Sequence, residues 1–325
     1  MNVVLSGVCS LILSVVLGYL IIPLLKRIKA GQTILKYVDN HKQKSGTPTM
    51  GGLFFILSAV IIYFIFCFFK SRVYTVAVVI GLSFMIVGFI DDFIKVYFKQ
   101  NEGLKAYQKI IFQFSISIIA GVFSYLNGLT FFNLPFTKKC VDLGVYSIPV
   151  VAFIFIAITN CVNLTDGLDG LAGSVCAVYL VFLVFLIQVQ HICGNTFLKS
   201  ADYDAVRILS ISLVGAILGF LFFNVNRARV FMGDSGSLSL GGFIGAISIF
   251  SSNGFFIPIL GIMFVLSGIS VIVQVLHYKK TKTRVFLMAP IHHHFQLKGF
   301  TETQITYSYA LITGLMGAVV ILFYL

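Results

Sequence analysis

The sequence predicts an all-α, polytopic integral membrane protein. Of its 325 residues 58% are hydrophobic and only 10% charged, where soluble domains hold roughly 45–50% apolar residues. The mean hydropathy is +1.01. Apolar runs recur along the whole chain, at 3–25, 52–69, 73–90, 110–127, 146–163, 171–190, 206–223, 237–252, 255–276 and 304–325. A bilayer core needs about 20 apolar residues per helix, so about ten transmembrane helices are expected, in a single membrane-embedded domain over 1–325. Several runs hold only about 16 to 18 residues, and broken or tilted helices are expected there. The first run, Val3 to Leu25, is too long for the apolar region of a signal peptide and is expected to remain as a helix.

Charge sets the expected orientation. With alternating loops, 17 of the 23 Lys and Arg fall in the loops after the odd-numbered spans. The positive-inside bias puts that face in the cytoplasm and both termini outside. Acids played no part in that count. Even so, eight of eleven lie on the same face: Asp39, Asp91, Asp92, Glu102, Asp166, Asp169, Asp234 and Glu302. The formal charge of +12 is read as topology and attraction to anionic membrane lipid, with no nucleic-acid partner. The six cysteines are scattered, lack CxxC spacing and are expected to be small core residues. No internal repeat stands out, and no paired inverted halves of the kind common in secondary transporters.

Four cytoplasmic segments carry chemistry. In Phe89-Ile90-Asp91-Asp92-Phe93-Ile94-Lys95 two acids are expected to terminate an apolar helix, with a lysine one turn on. Carboxylates at a membrane boundary are costly unless paired or solvated, which makes a functional site the default reading against a plain interfacial helix end. Asn160-Cys161-Val162-Asn163-Leu164-Thr165-Asp166-Gly167-Leu168-Asp169-Gly170 joins two spans in very few residues and reads as a polar pocket wall, with glycine letting backbone approach a ligand. Its Asn-Leu-Thr sequon is excluded by the cytoplasmic position. The third segment, Asn224 to Ser237, contains Phe231, able to stack on a base, and Gly233-Asp234-Ser235-Gly236. That tetrapeptide echoes a serine-protease loop but lacks the positioned partners a triad needs, so Asp234 is read as a metal- or phosphate-organising carboxylate. The fourth holds His292, His293 and His294. Three consecutive histidines cannot all face one way, which argues against a three-His zinc site and for one or two of them donating to phosphate. Lys44 to Gly52 adds a lysine and a flexible turn. Carboxylates, lysines and histidines on one face suit Mg²⁺, held by a few carboxylates together with substrate phosphates. Phosphoryl transfer needs mainly that positioning and charge neutralisation. At a bilayer surface it points to one lipidic and one soluble substrate.

These segments together resemble the polyprenyl-phosphate N-acetylhexosamine-1-phosphate transferases over nearly the whole chain, in order and with the same ten-span plan. Lys44–Gly52 and Ala289–Gly299 look like the branch that handles phospho-MurNAc-pentapeptide. The resemblance implies transfer of phospho-MurNAc-pentapeptide from UDP-MurNAc-pentapeptide to undecaprenyl phosphate, giving UMP and lipid I at the bacterial inner membrane. It makes Asp91, Asp92 and Asp234 the essential acids, with Asp234 the best Mg²⁺ ligand and Asp91 and Asp92 as further candidates. Gly167, Leu168, Asp169, Asn224 and Phe231 match the uridine pocket. Lys44, Lys95, Lys109, Asn160, Asn163, Asp166 and His292 to His294 match positions around the diphosphate or the pocket wall. A second copy of the chain stands among the expected partners. The competing readings are a sister transferase using UDP-GlcNAc and, further off, a cation or proton transporter using the same acids.

Overall fold

A computed structural model describes residues 2–27, 46–68, 70–100, 102–194, 196–225 and 227–325. Every apolar run becomes a helix: α1 Asn2–Arg27, α2 Gly52–Cys67, α3 Arg72–Tyr97, α4 Ala106–Leu126, α5 Ser147–Thr165, α6 Leu171–Ile192, α7 Ser200–Asn224, α8 Gly233–Phe250, the pair α9 Ile257–Leu260 and α10 Ile262–Thr281, and α12 Glu302–Tyr324. Among the described residues, eight helices are long and apolar enough to cross a membrane. Of the other two, α2 has 16 residues, about 24 Å at 1.5 Å per residue. Helix α8 has 18 residues, opens on Gly233-Asp234-Ser235-Gly236, and is buried continuously from Ser235 to Phe250. It is the central post around which α2, α3 and α5 pack. The protein is thus a multi-pass membrane bundle of helices.

Small residues let the helices approach closely. A Cβ on Gly215 of α7 would collide with the backbone of Gly7 in α1, so glycine on both sides permits backbone-to-backbone packing where lipid supplies no hydrophobic drive between helices.

The structure departs from the sequence reading in four places. Helix α3 does not stop at Asp91-Asp92 but runs on to Tyr97, because Lys95 in its last turn pairs with Asp91 one turn earlier and makes continuation favourable. The run 255–276 breaks at Gly261 into α9 and α10, and α10 continues to Thr281. Between α4 and α5 the chain forms a hairpin, β1 Phe131–Asn133 against β2 Cys140–Asp142, pairing Phe131 with Asp142 and Asn133 with Cys140. It is held to the bundle by Asn133 N–H donating to Ser252 C=O at 2.8 Å and by Phe132 packing on Phe255. Lastly, Cys140 and Cys193 are exposed, not core residues, because they sit on the hairpin and just after α6; Cys67 and Cys176 are buried as expected.

Candidate active site

The acid cluster forms where α3, α4, α5 and α8 converge. Gly88 of α3 faces the first turn of α8 so closely that a Cβ there would strike the Asp234 carbonyl. That approach brings Asp91, Asp92 and Asp234 together, with one oxygen of each within 4.8 Å of the others. Asp92 accepts from the backbone N–H of Asp234 at 3.2 Å and of Ser235 at 2.9 Å. It therefore caps a helix that has no side-chain cap of its own, placing carboxyl oxygens at the positive end of α8.

Two lysines knit the acids into one unit. Lys95 Nζ lies 2.5 Å from Asp91 Oδ2 and 3.1 Å from Asp234 Oδ2. Lys109 Nζ, from α4, lies 2.7 Å from Asp234 Oδ2 and 3.3 Å from Asp91 Oδ1. Leu104 N–H also donates to Asp91 Oδ1 at 2.8 Å. Asn163 Nδ2 donates to Asp234 Oδ1 at 2.7 Å and to Ser237 Oγ at 2.8 Å. The three carboxylates are not equivalent. Asp91 and Asp92 are 1% exposed, whereas the Asp234 side chain keeps 17% and both lysines 19%. Asp234 is the acid open to an incoming group, with Asp91 and Asp92 beneath it. The carboxylate donors are all hard oxygens, the set that suits Mg²⁺.

The remaining expected residues line an adjoining wall. Asp169 accepts from Ala228 N–H at 3.1 Å. Asn224 accepts from Gly170 N–H at 2.9 Å and donates to Val230 C=O at 2.9 Å. Both tie the 166–170 loop to the 227–231 segment, so Asn224 shapes the pocket through backbone it holds. Leu168 is buried and Gly167 partly open. Phe231 is fixed through its backbone, donating to Pro48 C=O and accepting from Gly51 N–H, both at 2.8 Å, with its side chain partly exposed. Helix α11, Ile291–Leu297, brings His292 and His293 against Gly167, where a Cβ would collide with the His292 ring. His294 turns away and accepts from Leu287 N–H at 3.2 Å, so the three rings do diverge as the helix requires.

Two groups here are left unspent. Burial, with some help from His293, pushes the His292 imidazole down to about 3, so it is neutral at pH 7, and neither ring nitrogen has a hydrogen-bond partner among the described residues. Desolvation, reinforced by Asp234, Asp92 and Asp169, raises the Asp166 carboxyl to about 8. Asn160 is placed otherwise: it donates to Gln113 Oε1 at 2.7 Å and to Ile156 C=O at 2.8 Å, pairing α5 with α4 one turn deeper than Asn163. Lys44 lies outside the described residues. Sequence reasoning missed Gln113, a fully buried amide whose one available signal was a polar residue inside the apolar run 110–127.

Comparison with known proteins gives the family. Residues 73–252 match the glycosyl transferase family 4 model, and residues 44–56 match phospho-N-acetylmuramoyl-pentapeptide-transferase signature 1. The phospho-N-acetylmuramoyl-pentapeptide-transferase of Thermoanaerobacter sp. (strain X514) is 39% identical over 96% of this chain and 95% of its own length. That of Clostridium novyi (strain NT) is 41% identical over 96% and 93%, and that of Clostridioides difficile (strain 630) 39% over 96% and 94%. The likeness spans nearly the whole bundle, and the family 4 match alone takes in all three acids, both lysines and Asn163; the chain belongs to the phospho-N-acetylmuramoyl-pentapeptide-transferase family.

Proposed function

We propose that the chain transfers phospho-MurNAc-pentapeptide from UDP-MurNAc-pentapeptide to undecaprenyl phosphate, forming lipid I and releasing UMP for peptidoglycan synthesis. The reaction is assigned to the cytoplasmic face of the bacterial inner membrane, a placement supported by the 17 of 23 Lys and Arg on that face. The observation that carries the reading is Asp234, held by Lys95, Lys109 and Asn163 with its carboxylate partly open above two buried acids. Asp234, with Asp91 and Asp92, would hold Mg²⁺, which when bound neutralises the diphosphate and the leaving phosphate.

In the transfer, an oxygen of the lipid phosphate forms a bond to the sugar-side phosphorus. The bond from that phosphorus to the bridging oxygen breaks, and the bridging oxygen departs with UMP. Lys95 and Lys109, whose ammonium groups hold the Asp234 carboxylate, are assigned to stabilise the negative charge on that oxygen. Phosphate monoesters have a second pKa near 6, so the lipid phosphate is already largely ionised and little general base is needed. Asp91 has both oxygens engaged, one by Lys95 and the other by Leu104 N–H and Lys109, which favours a positioning role. Gly167, Leu168, Asp169 and Phe231, fastened by Asn224, are assigned to uridine. His292 and His293 are assigned to the wall beside the diphosphate, with Asp166.

The deciding experiment is purified protein with UDP-MurNAc-pentapeptide, undecaprenyl phosphate and Mg²⁺, scored for UMP with and without EDTA. Metal-dependent UMP release is expected; its absence overturns the reading. Competition by UDP-GlcNAc, expected to fail, separates the sister transferase.

A further inference from the structure

Helix α10 leaves the bundle as an arm. Its second half exposes Ile272 at 59% and Leu276 at 63%, apolar side chains placed to meet lipid. About 6 Å further along the axis, at 1.5 Å per residue, the same helix presents Lys279 and Lys280, followed by Lys282 and Arg284 in the turn. All four are exposed. None has a carboxylate partner among the described residues, and the sequence holds no acid between Asp234 and Glu302.

The turn is not a loose loop. Gln274 Oε1 accepts from Val285 N–H at 3.1 Å and Phe286 N–H at 2.9 Å, and Gln274 Nε2 donates to Phe286 C=O at 3.2 Å. His277 Nε2 lies 3.1 Å from Thr283 Oγ1. These bonds strap the returning chain along the arm and hold the four cations together at its tip, directly beyond the lipid-facing residues.

We propose that this tip is a docking site for anionic phospholipid headgroups. An apolar stem sets its depth in the membrane, and an uncompensated cluster of four cations on a braced turn supplies the charge complementarity. Basic clusters immediately beside a membrane helix attract anionic lipid, each cation contributing about fivefold.

The chain contains no tryptophan, so Tyr278→Trp installs a single fluorescent reporter on the arm. The protein is reconstituted in phosphatidylcholine vesicles containing either brominated phosphatidylglycerol or, at the same mole fraction, brominated phosphatidylcholine. We expect quenching to report at least about fivefold enrichment of the phosphatidylglycerol, falling as salt is added. Replacing all four cations by glutamine, K279Q/K280Q/K282Q/R284Q, should abolish the preference, and K279R/K280R/K282R should preserve it. Equal quenching by the two lipids, or an undiminished preference in the four-glutamine variant, overturns the proposal. The readout is independent of UMP release, so its failure is distinct from failure of the transferase reading.

Discussion

The two ends of the bundle both bury polar side chains, but they use them differently. Beside the hairpin, Gln190 and Asn253 are neutral amides that satisfy one another. Asn253 Nδ2 donates to Gln190 Oε1 at 3.0 Å, Gln190 Nε2 donates back at 2.8 Å, and Tyr324 Oη donates to Thr137 C=O at 3.0 Å. At the acid end carboxylates and ammonium groups meet and some valences stay open: Asp234 is partly exposed, and the two nitrogens of neutral His292 have no hydrogen-bond partner among the described residues. Satisfied polar networks rigidify, whereas unspent ones are costly unless something binds them. The hairpin end therefore reads as a fastening and the acid end as a site kept ready for phosphates and metal.

That contrast can be broken most directly at Asp234. Asp234→Asn should lower kcat about a hundred- to a thousandfold, the scale of losing a charge-stabilising group at a reacting centre, while the protein still elutes as a folded species. Activity within tenfold of wild type would remove Asp234 from the chemistry. Gly88→Ala should come next. Its methyl group must displace the Asp234 backbone, and a shift of about 1 Å can cost about a hundredfold in rate; wild-type UMP release would show that the close approach of α3 and α8 does not set the site.

At the other end the prediction inverts. Gln190→Leu removes two hydrogen bonds from the buried Asn253 amide, which keeps those to Ser251 and Asn133, and should reduce stability by about 1–3 kcal/mol while leaving UMP release per folded molecule unchanged. A specific loss of kcat would mean that the two ends are coupled. The smallest effect concerns Asp166, whose pKa is raised to about 8 from the ordinary carboxylate value near 3.9. The folded protein then holds a proton that the unfolded chain releases, so this group's contribution falls as pH rises between those values and levels off above the folded pKa. Asp166→Asn removes that loss. Its melting temperature, measured in EDTA, should rise relative to wild type as pH goes from about 6 to about 9, and a constant difference would show that Asp166 titrates as an ordinary surface acid.

Much of the molecule was legible in advance. The ten apolar runs all became helices because helix formation in lipid is dictated locally by the need to satisfy every backbone group. The gathering of Asp91, Asp92 and Asp234 was legible too, from charge on one face and from the motifs. Other features were not. The lysine one turn after Asp91 was the available signal that α3 continues past the acids, but the apolar run ends at 90 and the helix was expected to stop there. The hairpin at 131–142 was missed because three-residue strands leave almost no periodic signal. Asn160 and Asn163 look alike in sequence, yet one pairs with Gln113 and the other with Asp234.

The sequence by itself determined the class of the protein, its helices, and a set of acids, lysines and histidines belonging to one face. These depend on hydropathy and residue type, which are properties of the chain read in order. Only the tertiary structure decided which acid is open, that Asp92 caps α8, that Asn224 works through the backbone of Gly170 and Val230, and that His292 and His293 lie against Gly167 while His294 turns away. Those outcomes depend on how helices rotate and how closely they cross, which is set by contacts between residues far apart in sequence, such as Gly88 against Asp234.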